Sequence, residues 1–497
     1  MVSEDKIPIY WVFNSLLMKV EKVLKRALLC LLLFSFLPVS YGQLPEELVG
    51  SWEGKLTLPG IELRLWLKVE KDSLNQIVAT VDSPDQGAKD IKVSHLAFHN
   101  NTVTFELAEV NASYMGLIND SLTRVKGHWT QGVTSLRLDL IRLDKTPEVL
   151  RPQEPQTPYP YLVEDVIFEN KSKGIKLSGT LTRPGGETNV PAVVLVSGSG
   201  PQNRDSEIFG HKPFHVIADH LSRHGIAVLR YDDRGTGESE GNFSAATTRD
   251  LASDANAALQ FLKNHKGINS TMTGIIGHSE GGMIAPMVAA KSKEVAFIIM
   301  LAGPGSSGEE VLYQQLALIS QVNGVSEKEI KESLQSFEKI YAIAKSDISY
   351  KDGVKKLKRY FKRHTRWMTT KKKAVKGLSD TQTNAMIQQV MSDWFRQFLT
   401  LNPGDYLPDV KCPVLSIIGE KDLQVPPEPN LKLIERYLKE GGNEQAMIHE
   451  LKGLNHLLQH CETGSLSEYG QIEETIAPEV LELMLTFIRR TCNLRAH

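Results

Sequence analysis

The chain has 497 residues, enough for about two to four domains, so it is larger than a single small binding module. Its 57 Lys and Arg residues are balanced by 59 Asp and Glu residues, and the net charge of −2 excludes a basic surface over the whole chain that would hold nucleic acid. The 41% hydrophobic and 23% charged residues exclude a disordered or fibrous protein, and the four cysteines, none in a C-x-x-C pair, exclude a disulfide scaffold and give no zinc or redox motif.

Residues 1–42 end in the pattern of a secretory signal peptide, LKRALLCLLLFSFLPVSYG. A basic edge precedes an apolar stretch at 27–37, and small residues stand before Gln43, where the cut would fall. The stretch is shorter than the roughly 20 residues of a membrane span. We therefore expect cleavage, no membrane span in the mature chain, and export to the bacterial periplasm or medium; a short membrane anchor is the alternative. Met18 is the more natural start, and the residues before it are interpreted as a mis-assigned extension.

Residues 43–145 are predicted to form a small antiparallel all-β domain, either a barrel or a sandwich. Apolar and polar residues alternate with a period of two over 56–69, 77–81, 103–107 and 136–140. Turn residues separate these segments and no helical stretch intervenes. A linker at 146–161 follows, and its five prolines predict an extended and fairly stiff chain.

Residues 162–497 have the pattern of a doubly wound, mostly parallel α/β sheet, because short apolar runs alternate with helical stretches. The predicted strands are at 192–196, 226–229, 275–276, 296–301, 414–418 and 447–451, and helices are predicted at 214–224, 250–264 and 281–290. About a hundred mostly helical residues, at 306–405, interrupt this alternation. An insertion after a strand's carboxyl end lies over the ligand crevice of such a sheet, so these residues are predicted to form a helical cap.

The most specific short motif is GHSEGG at 277–282, which follows an apolar strand and opens a helix. That context is typical of a G-x-S-x-G nucleophile elbow. The turn is so tight that the residues two before and two after the serine must be small, and it holds Ser279 in a strained conformation with its hydroxyl exposed. Ser279 is therefore the candidate nucleophile.

A serine hydroxyl needs a base that is oriented by an acid, and on this fold the acid and then the base follow the serine along the chain. Asp422 is the candidate acid, since it follows the strand at 414–418; Glu420 is the competitor. His456 is the candidate base, in the loop after the last strand. His449 lies within that strand and His460 beyond the loop, so both are interpreted as structural.

The oxyanion hole needs two N–H donors, and the residue after the nucleophile, Glu280, supplies one. The second donor is predicted in the glycine-rich loop SGSGPQNRD at 197–205, where the backbone comes close to the substrate. We assign it to the Ser199 N–H, with Gln202 as a substrate-binding side chain. The alternative is a plain surface turn.

Three other patterns carry charge or histidine and are interpreted as structural. The segment RYDDRGTGES at 230–239 holds two adjacent aspartates, but Asp–Arg pairs that fix a loop explain it better than acid–base work. The histidines at 211, 215, 220 and 224 lack an H-E-x-x-H signature, so no metal is predicted. The basic run at 351–376 is interpreted as a solvated helix face with aromatic residues inward; attraction of anionic substrates or of a membrane is the alternative. Trp394 and Phe395 line an acyl pocket or form cap core.

The stretch from 162 to 490 resembles the bacterial esterase D family of α/β-hydrolases, near the serine aminopeptidase branch. The matching motifs are the loop at 197–205, YDDRGTG at 231–237, GHSEGG at 277–282, GLNH at 453–456, and the tail residues 468–469 and 472–475. GSW at 50–52 and SPDQG at 83–87 resemble the domain that often precedes these hydrolases in exported bacterial proteins. The resemblance implies a carboxylesterase for short acyl esters, and it falls on the same serine, aspartate and histidine that the motifs select.

The predicted activity is hydrolysis of a small-molecule ester through an acyl-enzyme on Ser279, with no cofactor or metal. A serine peptidase on the same fold is the nearest alternative; it needs a charged anchor for a peptide terminus, for which Glu280 and the basic residues of the cap stay open. A lipid- or glycan-binding protein with a non-catalytic hydrolase domain is the alternative from another class, and transacylation is a third. The oligomeric state is not predicted.

Overall fold

The computed structural model describes residues 48–494 except 59–60, 87, 132–133, 146–147, 149, 187 and 371–379. The predicted signal peptide lies outside the described residues, so its cleavage and the export of the chain stay predictions. Within the described part of the chain, no helix is long and apolar enough to cross a membrane.

The N-terminal domain is an antiparallel sheet of nine strands: β1 Gly50–Leu58, β2 Ile61–Lys71, β3 Ile77–Ser83, β4 Ala88–Lys92, β5 His95–His99, β6 Thr102–Leu107, β7 Ala112–Ile118, β8 Arg124–Gln131 and β9 Thr134–Leu143. Their order is β4-β3-β2-β1-β9-β8-β7-β6-β5, so the first and last strands pair with each other. The apolar side of the period-two alternation is buried around Trp52, Phe105 and Tyr114. This confirms the predicted antiparallel domain.

The second sheet has eight strands: β10 Tyr161–Asn170, β11 Ile175–Pro184, β12 Val190–Val196, β13 Ala227–Tyr231, β14 Ile268–His278, β15 Ile298–Leu301, β16 Val414–Gly419 and β17 Ala446–Leu451. Their order is β10-β11-β13-β12-β14-β15-β16-β17. In this order, neighbouring strands from β13 to β17 pair in parallel. Strand β10 pairs antiparallel with β11, and β11 pairs antiparallel with β13.

The strands β10 and β11 are absent from the sequence prediction. Strand β11 lies inside the sheet, but its buried residues include Ser178, Thr180 and Thr182, which break the apolar run. Strand β10 lies at the sheet edge. Val166 and Phe168 of β10 are buried, while Leu162, Val163 and Ile167 are exposed. An edge strand of this kind lacks the continuous apolar run that marks a strand buried on both faces.

Eleven helices are described: α1 Pro213–Arg223, α2 Thr248–Asn264, α3 Glu280–Ala289, α4 Gly308–Val322, α5 Glu327–Lys345, α6 Tyr350–Thr370, α7 Asp380–Val390, α8 Asp393–Phe398, α9 Pro427–Glu440, α10 Leu466–Tyr469 and α11 Pro478–Thr491. One apolar core packs α2, α3 and α9 against the second sheet through residues such as Leu251, Ile284 and Ile434. A second core packs α1 and α11 against the same sheet through Ile217 and Met484. The loops at the carboxyl ends of the parallel strands are thereby left free for a site.

Helices α4–α8 lie between β15 and β16 and have a core of their own around Tyr341, Leu357 and Phe395. Helix α6 begins the predicted basic run. Its Tyr360 and Phe361 pack against this core, whereas the lysines at 355, 356, 358 and 362 are exposed. This arrangement supports the interpretation of a solvated face for the described part of the run; residues 371–379 lie outside the described residues.

The linker lies against the hydrolase domain beside the segment that follows the last strand. The Arg151 guanidinium donates hydrogen bonds to the carbonyl oxygens of Phe209, Gly470 and Ile472 at 2.9, 3.2 and 2.9 Å. A Cβ on Gly470 would lie only 2.9 Å from the Cα of Asp85, so the SPDQG corner of the β domain packs here too. The linker therefore joins the domains through specific contacts.

The cysteines and the clustered histidines have structural surroundings. Cys412, Cys461 and Cys492 are free thiols, so no bridge joins the last two. The His211 ring contacts the Thr475 hydroxyl and a backbone carbonyl, each at 2.9 Å. Among the described residues no group of His, Cys, Asp and Glu side chains could hold a metal ion.

Candidate active site

The predicted elbow lies between β14 and α3. Ser279 has φ 55° and ψ −115°, a left-handed conformation that costs roughly 1–3 kcal/mol in a non-glycine residue. A Cβ on Gly277 would lie 1.9 Å from the Gly281 carbonyl oxygen, and one on Gly281 would lie 2.2 Å from the Val196 carbonyl oxygen. These contacts confirm the steric reason for small residues on both sides of the serine.

Replacing Gly277 with alanine is expected to destabilise the chain by more than about 4 kcal/mol, because the added methyl group would overlap backbone atoms that cannot move independently. Gly185→Ala is the matched control, since a Cβ there meets nothing within 4 Å. Urea unfolding followed by circular dichroism measures both variants. Equal stability of the two variants would contradict the tight turn.

The structure brings the candidate acid Asp422 and the candidate base His456 together. The His456 Nδ1 lies 2.8 Å from the Asp422 Oδ2, and both residues are 2% exposed. The other carboxylate oxygen of Asp422 accepts hydrogen bonds from the backbone N–H groups of Gln424 and Val425, each at 2.8 Å, which fixes its orientation. The competitor Glu420 is exposed and accepts a backbone hydrogen bond from Gly453 instead.

The other ring nitrogen of His456 is available to a reacting group. Its Nε2 is buried and has no hydrogen-bond partner among the described residues. The Nδ1 contact with a carboxylate places the proton on Nδ1 in the neutral ring, so Nε2 carries a lone pair. A base in this state can accept the proton of a serine hydroxyl.

His278, inside the GHSEGG motif, is a site residue that sequence reasoning missed. Its Nε2 lies 2.9 Å from the His456 carbonyl oxygen and donates to it, and the two rings are 5.0 Å apart. Burial, together with the nearby His456 ring, lowers the pKa of His278 to about 3, so this ring stays neutral. His278 therefore holds the His456 loop without adding positive charge. The position of His278 in the elbow motif was visible in the sequence. The motif accepts any side chain at that position, so it did not mark His278 as a site residue.

The loop with the predicted oxyanion donor passes beside the nucleophile. A Cβ on Gly198 would lie 3.2 Å from the Ser279 Cβ. Asp233 anchors this loop, because its carboxyl accepts hydrogen bonds from the Ser197 hydroxyl at 3.0 Å and the Gln202 N–H at 2.9 Å. The backbone of Ser199 is thus held near the serine.

The charged segment at 230–239 takes part in Asp–Arg pairs, but each pair joins it to another part of the chain, and Asp233 accepts hydrogen bonds from Ser197 and Gln202 and pairs with no arginine among the described residues. Arg204 binds Asp232 at 2.7 Å, and Arg234 binds Asp254 at 2.6 Å. Arg234 follows the two aspartates in sequence but pairs with neither of them. In each of the two pairs, the arginine and the aspartate come from different elements of the fold.

Asp233 makes the stability of the fold depend on pH. Burial raises the pKa of Asp233 to about 8 from an ordinary value of 3.8. The folded chain therefore holds this proton between roughly pH 4 and pH 8 while the unfolded chain releases it, so the free energy of unfolding falls as pH rises, by up to about 1.4 kcal/mol per pH unit. Asp233→Asn, which mimics the neutral acid, should flatten this slope in urea titrations. Exposed Asp120→Asn should follow the wild type; an unchanged slope in Asp233→Asn would contradict the assignment.

Two neighbouring cavities share Ser199 and Gln424 in their linings. The larger lies under the cap and is lined by Ser199, Ser279, Glu280, Pro304, Val311, Leu312, Gln315, Gln389, Trp394, Phe395, Phe398, Gln424 and Val425. The lining of the smaller includes Gln202, Phe209, His278, His456 and Leu466, so Ser279 lines one cavity and His456 the other. Trp394 and Phe395 therefore face the larger cavity, and Phe395 also belongs to the cap core. The predicted helper Gln202 lies on the smaller side.

A family model described as "Serine aminopeptidase, S33" matches residues 211–462, a stretch that contains Ser279, Asp422 and His456. The chain belongs to this family of α/β-hydrolases, and the predicted resemblance is confirmed. Among curated relatives, Esterase EstD of Thermotoga maritima is 28% identical over 363 residues, covering 71% of this chain and 77% of that protein. The chain is therefore an esterase-like α/β-hydrolase.

Other proteins are similar over part of this chain. The multifunctional-autoprocessing repeats-in-toxin protein of Vibrio cholerae is 34% identical over 142 residues, which cover 26% of this chain and 3% of that protein. Among solved structures, the α/β-hydrolase GrgF from Penicillium sp. sh18 has 21% identity and a TM-score of 0.40, with 66% of this chain and 99% of that chain covered. The Pyrococcus furiosus esterase Pf2001 has 17% identity and a TM-score of 0.40, with 69% and 98% covered.

Proposed function

We propose that the chain is a serine carboxylesterase with Ser279 as nucleophile, His456 as base and Asp422 as the orienting acid. The observation that carries this proposal is the buried Asp422–His456 pair, in which the His456 Nε2 has no partner among the described residues and the ring lines a cavity next to the one lined by the strained serine. Nucleophile, base and acid are the three roles that acyl transfer by serine requires.

The proposed reaction has two halves. His456 Nε2 takes the proton of Ser279, whose Oγ attacks the ester carbonyl, while the N–H groups of Ser199 and Glu280 stabilise the oxyanion. His456 then gives this proton to the leaving alkoxide and an alcohol departs. Water, deprotonated by the same histidine, hydrolyses the acyl-enzyme and releases the acid. Every step uses groups of the chain itself.

The two cavities divide the substrate between them. The cavity under the cap is mostly apolar and adjoins the serine, so it suits the acyl group. The preference for short chains is the one that the resemblance to the esterase D family implies. The smaller cavity contains His278 and His456 and lies on the side where the histidine must reach the leaving group. We therefore assign the smaller cavity to the alcohol part of the ester.

A peptidase on the same fold would need a carboxylate that stays charged to hold a terminal ammonium group. Glu280 is the carboxyl group in the larger cavity. Burial raises the pKa of Glu280, which favours the neutral acid and weakens it as an anchor for a cation. This difference favours the esterase.

The test compares esters with anilides on the purified chain. We expect turnover of p-nitrophenyl acetate and butyrate to exceed that of the octanoate, and all three esters to exceed aminoacyl and dipeptidyl p-nitroanilides. The Ser279→Ala chain provides the blank. Anilide turnover above ester turnover would move the assignment to a peptidase. Binding of lipids or glycans without turnover of either set would favour the binding protein.

We also propose that the chain is exported, on the basis of the signal peptide pattern at 1–42. Expression of the full chain in a bacterial host should place the protein in the periplasm or medium with Gln43 at its N-terminus. A cytoplasmic product that keeps residues 24–42 would contradict export.

A further inference from the structure

Two polar atoms in the larger cavity are buried and have no hydrogen-bond partner: the Glu280 Oε2 and the Gln389 Nε2. The other carboxyl oxygen of Glu280 is fully engaged, since it accepts hydrogen bonds from the Thr248 hydroxyl at 2.6 Å and the Trp394 indole N–H at 2.9 Å. The Ser199 hydroxyl also faces this carboxyl group but makes no hydrogen bond of normal geometry to Oε2. Glu280 is thus held firmly with one oxygen left over.

An unpartnered buried polar atom costs about 1–3 kcal/mol, so native structures keep few of them. Here two occur in one cavity whose walls are mostly apolar, with Val311, Leu312 and Phe398 among them; its other polar lining residues are Ser199, Ser279, Gln315 and Gln424. Both line the space next to Ser279 in which the acyl group of an ester would lie. This pattern is the one expected of a ligand site that is completed by its ligand.

We propose, resting on the esterase function above, that this cavity selects acyl groups that carry a hydroxyl, with Glu280 and Gln389 as its hydrogen-bond partners. A hydroxyl both donates and accepts, so it can pair with the carboxyl oxygen and with the amide N–H group. Glu280 is the residue that follows the nucleophile, so we place the hydroxyl near the ester carbonyl, on the second or third carbon of the acyl group.

Charged acyl groups fit these two partners less well. An ammonium group has no acceptor to offer the Gln389 amide nitrogen. A carboxylate would lose its water in a cavity whose lining includes no Lys, Arg or His side chain to pair with it. Burial raises the pKa of Glu280, which further lowers its attraction for a cation. The cavity is therefore matched to a neutral hydroxylated group.

The experiment measures kcat/KM for methyl butyrate, methyl 2-hydroxybutyrate and methyl 3-hydroxybutyrate by pH-stat. For one of the hydroxy esters we expect the wild type to show about a tenfold advantage over methyl butyrate. Glu280→Met and Gln389→Met should each reduce that ratio at least about fivefold, while Glu280→Gln should retain it. Ser336→Ala, on the cap and outside the cavity, is the matched control.

A ratio near one for both hydroxy esters in the wild type, or an unchanged ratio in both Met variants, would overturn the proposal. Failure of the esterase function is distinct, because it would appear as no turnover of any ester. In that case titration calorimetry of the Ser279→Ala chain with butyramide and its 2- and 3-hydroxy forms decides. About tenfold tighter binding of a hydroxy form would support the hydroxyl site, and equal binding would refute it.

Discussion

Replacing Ser279 with alanine is expected to lower kcat for ester hydrolysis by about six orders of magnitude. Ser279 stands on the strained elbow at φ 55°, and the Nε2 of the proposed base His456 has no partner among the described residues, so the variant removes the proposed nucleophile and leaves the base in place. The oxyanion donors and the cavities would remain, so a small residual rate over water is expected. The measurement is p-nitrophenyl butyrate turnover with the variant chain.

The control for this variant is Ser336→Ala. It removes a hydroxyl of the cap that donates a hydrogen bond to the Glu332 carbonyl oxygen of the same helix. It should keep wild-type activity, and circular dichroism should show both variants folded. Residual activity of the Ser279→Ala chain above about one per cent would contradict the role of the serine, given the size of the loss expected.

Replacing Asp422 with asparagine is expected to lower kcat by about four orders of magnitude while the fold is kept. The N–H groups of Gln424 and Val425 both donate to one oxygen of Asp422, so the asparagine must keep its carbonyl oxygen there. Its NH₂ group then faces the Nδ1 of His456 and requires a lone pair at that nitrogen. The ring proton therefore moves to Nε2. That nitrogen then has no lone pair to accept the proton of Ser279, so His456 can no longer act as the base.

The control for this second variant is Glu420→Gln, two residues away in the same loop. The Glu420 side chain is exposed and accepts a hydrogen bond from the Gly453 N–H, so this variant should retain activity within about threefold, as expected of a surface substitution. Single-turnover kinetics should place the loss in Asp422→Asn in the acylation step. Equal losses in the two variants would contradict the assignment of the acid.

The candidate nucleophile, acid and base could be proposed from sequence because each depends on local sequence. The spacing of glycines about Ser279 reports the tight turn directly, and Asp422 and His456 follow apolar strands in the order that this fold requires. Chain order and strand ends are properties of sequence, so three distant residues could be assigned to one site.

Other parts of the site depend on partners that sequence does not reveal. Arg204 and Arg234 lie close to several aspartates in sequence, and only the packing of separate loops selects Asp232 and Asp254 as their partners. The same holds for Glu280, whose side chain meets a cap helix more than a hundred residues away in sequence. Its backbone role followed from the motif, but its side-chain environment required the fold.

The linker shows the same limit in the relation between the domains. Its prolines predict an extended chain, but they do not predict that Arg151 donates to carbonyl groups of two segments of the hydrolase domain. Sequence also singled out SPDQG at 83–87 without a role. In the structure, Asp85 of this motif packs against Gly470, so the motif has a structural role where the β domain contacts the hydrolase domain.

The most direct test of the central claim is to trap the acyl-enzyme. The wild-type chain is mixed with p-nitrophenyl butyrate, quenched in acid within the first turnover and analysed by intact mass and peptide mapping. We predict one butyryl group per chain, on the peptide that contains Ser279, and none in the Ser279→Ala chain. A butyryl group on another residue, or rapid turnover with no acylated chain at any time, would contradict a covalent mechanism at Ser279.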